Sequence, residues 1–238
     1  MKYAAAFLLF FMSCADQHKI MVSENVFVKA TAGDSLSFYF PAVLNDSVKR
    51  PNSIYTNFKQ NWYSASLYSF KEPILYNKKD QDIIYRLLWL RSFHVPVCFT
   101  MKKFNGDYYL NAKALDREPA FFPLIEGKGI DPATGKEILD TIQKANRLAF
   151  ISFDTTIVLK TYQWKKIEDY LLSLDFWNSP VADPADDNST DGSNWIIEGR
   201  KDNQYHFIDR RNAKGNLLSF GKYLIRKSGI DIKEHAIY

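Results

Sequence analysis

Three polar side chains near the C-terminal end are the first to suggest chemistry. Glu198 closes the run Trp195-Ile196-Ile197-Glu198, and His206 and Arg210 fall on one face of a candidate strand at 205–210. A carboxylate beside an imidazole and a guanidinium is the material of a general acid/base pair or of an anion clamp. If a hairpin joins the two strands, Glu198 can stand opposite His206 or Arg210. That arrangement would suit a hydrolase using Glu198, His206 and Arg210. The same residue types more often make a structural ion pair that holds a hairpin under a helix.

A second group lies in Arg86, Arg91 and His94. Arg86 and Arg91 are five apart, so on a regular strand they point to opposite faces and cannot act as one clamp. The expectation is that one stacks on an aromatic neighbour such as Trp89 and the other goes to solvent. Aromatic residues are abundant, with 5 Trp, 14 Tyr and 18 Phe. Most should fill a core. The doublets Trp62-Tyr63 and Tyr108-Tyr109 are candidates for exposed rings, because neighbours on a strand face opposite ways. Arg91, His94, Trp62 and Tyr63 are thus the candidate binding residues.

Other chemistries lack their motifs. The four His are scattered, and no HExxH or CxxC occurs, so no metal site or cofactor is expected. The acidic stretch 183–191 does not have the calcium-loop pattern. No phosphate-binding Gly-rich loop and no Gly-x-Ser-x-Gly elbow is present. With 31 Lys+Arg against 27 Asp+Glu, the net charge is +4 and the cations are dispersed, so no nucleic-acid partner is expected. Cys98, in Val95-Pro96-Val97-Cys98-Phe99, reads as a buried, inert thiol.

The N-terminal residues bear on location. Lys2 precedes an unbroken apolar run of ten residues, Tyr3 to Met12, too short for a spanning helix but suited to a secretory signal. Phe11-Met12-Ser13-Cys14 then resembles a bacterial lipobox, in which a small residue precedes the cysteine that takes the lipid. Residues 1–13 therefore read as a lipoprotein signal, 14–25 as the lipidated Cys14 and a polar tether, and 26–238 as one domain. Acyl chains on Cys14 would anchor the chain without a spanning helix.

The elements that must position these residues come from periodicity. Val26 to Phe40 alternates around Gly33-Asp34 as a candidate hairpin. Residues 82–104 read as strands, with Pro96 expected to bar an uninterrupted central strand. Asn105-Gly106-Asp107 is a hairpin turn. Residues 123–136 read as an irregular excursion, and 148–159 as a strand. Trp164, Ile167, Leu171 and Leu174 make one helical stripe, with Thr161 as the expected N-cap. A hairpin turning near Asp202-Asn203 follows, and then a helix carrying Leu217, Phe220, Leu224 and Ile225 that Gly229 stops. The predicted class is α+β, a mainly antiparallel sheet made of a meander plus a C-terminal hairpin, with two helices on one face.

Several of these stretches resemble a family of uncharacterised bacterial proteins, many of them lipoproteins. The likeness rests on Trp62-Tyr63-Ser64, Lys71-Glu72-Pro73, Tyr85-Arg86, Trp89-Leu90-Arg91-Ser92-Phe93-His94 with Pro96-Val97, and Phe176-Trp177. It continues in Asp191-Gly192-Ser193-Asn194-Trp195-Ile196-Ile197-Glu198-Gly199 and Tyr205-His206-Phe207-Ile208-Asp209-Arg210, spanning roughly residues 60–228. The family usually continues Trp-Ser-Pro after the last arginine, where this chain has Arg211-Asn212-Ala213. The resemblance implies a class and no activity.

The expectation is therefore a lipid-anchored protein of the bacterial cell envelope, at the outer membrane before the inner. It would act as a non-enzymatic binding or assembly module toward an envelope protein or a glycan. An envelope hydrolase is the alternative.

Overall fold

The computed structural model describes residues 39–40, 54–76, 82–119, 149–182 and 191–238. The expected signal, Cys14, the expected tether, most of the predicted first hairpin, the predicted 123–136 excursion and residues 183–190 lie outside these. Six strands form one antiparallel sheet: β1 (Ile83–Arg91), β2 (His94–Phe104), β3 (Asp107–Leu115), β4 (Ile151–Leu159), β5 (Ser193–Lys201) and β6 (Gln204–Arg211). Their order is β4-β3-β2-β1-β5-β6. The first four are a meander, and the C-terminal hairpin docks on the free edge of β1. The α+β class with a mainly antiparallel sheet is what the sequence pattern predicts.

Local chemistry fixes the turns. Asn105 (φ 51°) and Gly106 (φ 87°) both take the left-handed conformation that a two-residue primed hairpin turn demands. Pro96 lies inside β2, which is flanked by β1 and β3, contrary to the expectation that it would bar a central strand. It is tolerated because the β1–β2 register shifts between Trp89 and Arg91, and the β2–β3 ladder starts only at Val97. A missing N–H at that point breaks no ladder.

Among the described residues three α-helices accompany the sheet: α1 (Ile54–Ser69), α2 (Thr161–Ser173) and α3 (Gly215–Ser228). Alternation divides the strands between two cores. Tyr85, Leu87, Trp89, Phe99, Trp195 and Ile197 cluster with Trp164, Ile167 and Leu171 of α2 and with Leu217, Phe220 and Leu224 of α3. Leu88, Leu90, Cys98, Ile196 and Phe207 cluster instead with Tyr63 and Leu67 of α1, with Phe70 just beyond it, and with Tyr39 and Phe40. Helical cover is therefore not confined to one face, because α1, which the sequence reading left unassigned, lies against the other.

The helix ends are built in two ways. Lys160, not Thr161, is the N-cap of α2, and Gln163 Oε1 accepts its backbone N–H at 2.8 Å. At the C-termini of α1 and α2 the same device recurs. Lys71 (φ 57°) and Asp175 (φ 47°) turn left-handed, Glu72 N–H reaches Leu67 O, and Phe176 N–H reaches Leu171 O, both at 3.0 Å. These are Schellman closures made without glycine. The first drops Glu72 against the sheet, and the second drops Phe176 into the α2–α3 core.

Candidate functional site

A row of polar residues crosses the sheet on its α1 side. The register places Glu198 (β5), Arg86 (β1), Thr100 (β2), Asn111 (β3) and Thr156 (β4) directly opposite one another in turn. The first four are buried. Arg86 donates Nε to Glu198 Oε2 at 3.0 Å, and its Nη2 bonds the same oxygen. Nη1 donates to Pro73 O at 2.8 Å and lies 3.6 Å from Glu72 Oε2. Glu72 accepts from Lys113 Nζ at 2.7 Å and from Thr100 Oγ1 at 2.9 Å. Tyr205 O–H donates to Glu198 Oε1 at 2.9 Å. Asn111 Nδ2 donates to Asp154, the Thr155 carbonyl and Thr156. A second knot lies towards α1, where Asp209 accepts from Lys59 at 2.8 Å and Tyr63 at 2.7 Å, and from Asn194 at 3.1 Å.

The network sets the protonation states. Burial disfavours charge on Glu72, but Lys113 and Arg86, with the hydrogen bonds from Lys113 and Thr100, outweigh it and hold the carboxyl below its usual range. Burial wins at Glu198 and raises its carboxyl, although Arg86 and the bonds from Arg86 and Tyr205 pull the other way. Burial likewise raises the Cys98 thiol, which stays neutral and inert. Glu198 is thus chemically an acid with a raised pKa in contact with a phenol. Catalysis would also need room for a substrate at its oxygens, and both oxygens are taken by Arg86 and Tyr205.

The hydrolase constellation is not brought together. The β5–β6 register sets Glu198 opposite Phe207, while His206 stands opposite Gly199 and Arg210 opposite Trp195. Glu198 points to the α1 face, and His206 and Arg210 to the other. His206 donates Nε2 to Ser179 O at 2.9 Å and meets the ring of Phe176 edge-on at 5.3 Å. Burial and Arg210 lower its pKa, against the pull of the Ser179 bond, which leaves it neutral at pH 7. Arg210 donates to Val181 O and Pro180 O, tying the 180–182 segment to β6.

The candidate binding residues are equally engaged. Arg91 lies 4.1 Å over the Trp89 ring and donates to Ala236 O and Val95 O. Arg86, expected at the surface if Arg91 stacked, is 1% exposed. His94 Nδ1 shares a hydrogen bond with the Tyr238 hydroxyl at 3.1 Å. Tyr63 is 2% exposed, so the expectation of an exposed ring fails there: its position on a helix, not a strand, turns it inward to Asp209. Trp62 is partly exposed and donates Nε1 to Glu118 at 2.6 Å. Tyr108 is stacked on Trp164 at 5.0 Å.

No family model, curated protein or solved structure matches the chain. A groove of about 580 Å³ opens between α2 and α3, lined by Tyr162, Lys165, Lys166, Asp169, Tyr170 and Asn216. Phe93, at the β1–β2 tip, and Leu172, on α2, are 74% and 79% exposed. Among the described residues no three His, Cys, Asp or Glu side chains converge as metal ligands, and no helix is long and apolar enough to cross a membrane.

The sequence reading missed Glu72, Lys113, Thr100 and Asn111. Their signal was present in the alternation, since Arg86, Thr100 and Lys113 each break an apolar strand at the even or odd position that its strand turns towards α1.

Proposed function

We propose that the protein is a lipid-anchored component of the bacterial envelope that works by binding or assembly and not by catalysis. The observation that carries this reading is the fate of Glu198. It is locked between Arg86 and Tyr205, on the face of the sheet opposite His206 and Arg210. The open features are of another kind: a groove carrying two tyrosines and two lysines, and isolated exposed apolar side chains. Rings and cations around a groove suit stacking and hydrogen bonding to a ligand held without chemistry. The anchor is supported by Cys14 behind an apolar run, since lipid on that thiol would hold the domain at a bilayer.

The test is fatty-acid labelling and membrane fractionation of the full chain, with cross-linking in its own cells followed by mass spectrometry. Wild type should carry label and sediment with membranes, and Cys14→Ala should do neither. A defined envelope protein or glycan should cross-link to wild type. Absence of label from wild type overturns the anchor. Hydrolysis of an envelope substrate that Glu198→Gln abolishes in a folded variant overturns the non-catalytic reading.

A further inference from the structure

The two edges of the sheet are treated differently. On β6, Asp209 N–H donates to Val181 O at 2.7 Å, and a parallel bridge joins Ala182 to Asp209. Arg210 and Arg211 add charge to the same strand. Covering segment and charge are two standard guards of an edge. Among the described residues, the other edge, β4, shows neither a covering segment nor a basic residue within the strand. It is nine residues of ISFDTTIVL, without Pro, Gly or Lys, and its one charge is Asp154. Among the described residues, β3 is its only strand neighbour. A long unguarded edge presents a row of backbone groups ready to pair with another strand.

We propose that β4 is the docking edge for a second copy of this chain, paired antiparallel about a twofold axis at Ile157. Charge complementarity selects both the occupant and the register. Lys160, which follows β4, keeps an extended backbone (φ −75°, ψ 154°), so Asp154, Thr156, Val158 and Lys160 share one face. Both Asp154 and Lys160 are exposed. Antiparallel pairing centred on Ile157 sets Asp154 of each copy opposite Lys160 of the other, and Thr156 opposite Val158. On the other face Ile157 meets its own copy and Thr155 meets Leu159. A register centred on Asp154 would oppose like charges, which is destabilising. The helix that follows does not obstruct the edge: Trp164 of α2 packs inward over Tyr108 and Tyr85. The closed twofold pair would continue the sheet across both molecules, and its interface would be isologous.

The experiment is sedimentation of the full chain in non-ionic detergent over a wide concentration range, with Asp154→Lys, Lys160→Asp and the double exchange. Circular dichroism checks that each variant is folded. Wild type should dimerise. Each single reversal should weaken the dimer by about tenfold or more, and the double exchange should restore it. Asp154 accepts one of the three bonds of the Asn111 amide and stands opposite Lys113 on β3, so Asp154→Asn is measured beside Asp154→Lys and should weaken the dimer as well. A wild-type monomer at every concentration overturns the proposal and leaves the edge to a strand of another protein. A dimer indifferent to the reversals, or one the double exchange fails to restore, overturns it as well. The inference does not depend on the lipid anchor, so failure of one leaves the other standing.

Discussion

Arg86 and Glu198 stand directly opposite one another on β1 and β5, and two guanidinium nitrogens converge on the single oxygen Oε2. Both side chains are 1% exposed. A buried pair of this kind is weak evidence of net stabilisation, but breaking it from one side is costly, because the remaining charge is stranded.

Arg86→Met should therefore cost about 3–5 kcal/mol in a denaturant melt, since Glu198 is left buried with only Tyr205 for company. Arg86→Met with Glu198→Leu should cost clearly less than the single change, because no charge is stranded at β5. A double variant as damaged as the sum of its parts would show no coupling between the two side chains and would overturn the stranded-charge account.

Glu72 and Glu198 should respond to acid in opposite senses. The folded pKa of Glu72 is lowered, so its contribution is present above the ordinary value of 4.5 and is lost as pH falls through the folded value. The folded pKa of Glu198 is raised, so its contribution is present below 4.5 and is lost as pH rises through the folded value. Stability measured against pH in the acid range should flatten in Glu72→Gln and steepen in Glu198→Gln. Parallel changes of slope in the two variants would contradict the assignment.

Gly221 tests the α3 packing. A Cβ there would overlap the six-membered ring of Trp195. Glycine to alanine inside a helix normally stabilises by about 1 kcal/mol through propensity. Overpacking costs about 1–3 kcal/mol, so Gly221→Ala should be net destabilising and should shift the tryptophan fluorescence. A stabilised variant would place α3 further from β5 than described.

Cys98 is 1% exposed, and burial raises its thiol. In a Cys14→Ala background it should react with a thiol reagent only as fast as the protein unfolds. Rapid labelling under native conditions would mean that the α1 side of the sheet opens.

How much of this was legible in the sequence depended on whether periodicity alone could decide. Trp164, Ile167 and Leu171 make an unbroken stripe, and α2 is where they place it. Helix α1 has Tyr63 and Leu67 at helical spacing, with Phe70 just beyond its end, but Asn, Ser, Thr and Tyr dilute its propensity, and tertiary packing holds it. The polar row hid for a different reason. Isolated polar residues on one face of a strand are compatible with a wet face, and Arg86, Thr100 and Lys113 are buried only because α1 and the segment after it cover them. The Glu198 register could have been read directly. A two-residue turn at Asp202-Asn203 pairs Lys201 with Gln204 and therefore Glu198 with Phe207, which leaves His206 facing the other way.

The placement of β5 between β1 and β6 has a consequence in time. Every other ladder of the sheet joins strands that follow one another in the chain, but β1 waits for a partner whose first residue, Ser193, is about a hundred positions beyond Arg91. At the usual pace of synthesis that is a delay of roughly 5–20 s, during which the inner edge of β1 has no mate. Arg86 lies on that edge, with its carboxylate not yet made, and a bare guanidinium on an apolar strand is a deterrent to mispairing. The residue that later seals the two halves is therefore also the one that keeps the first half apart from its neighbours while the second is being translated.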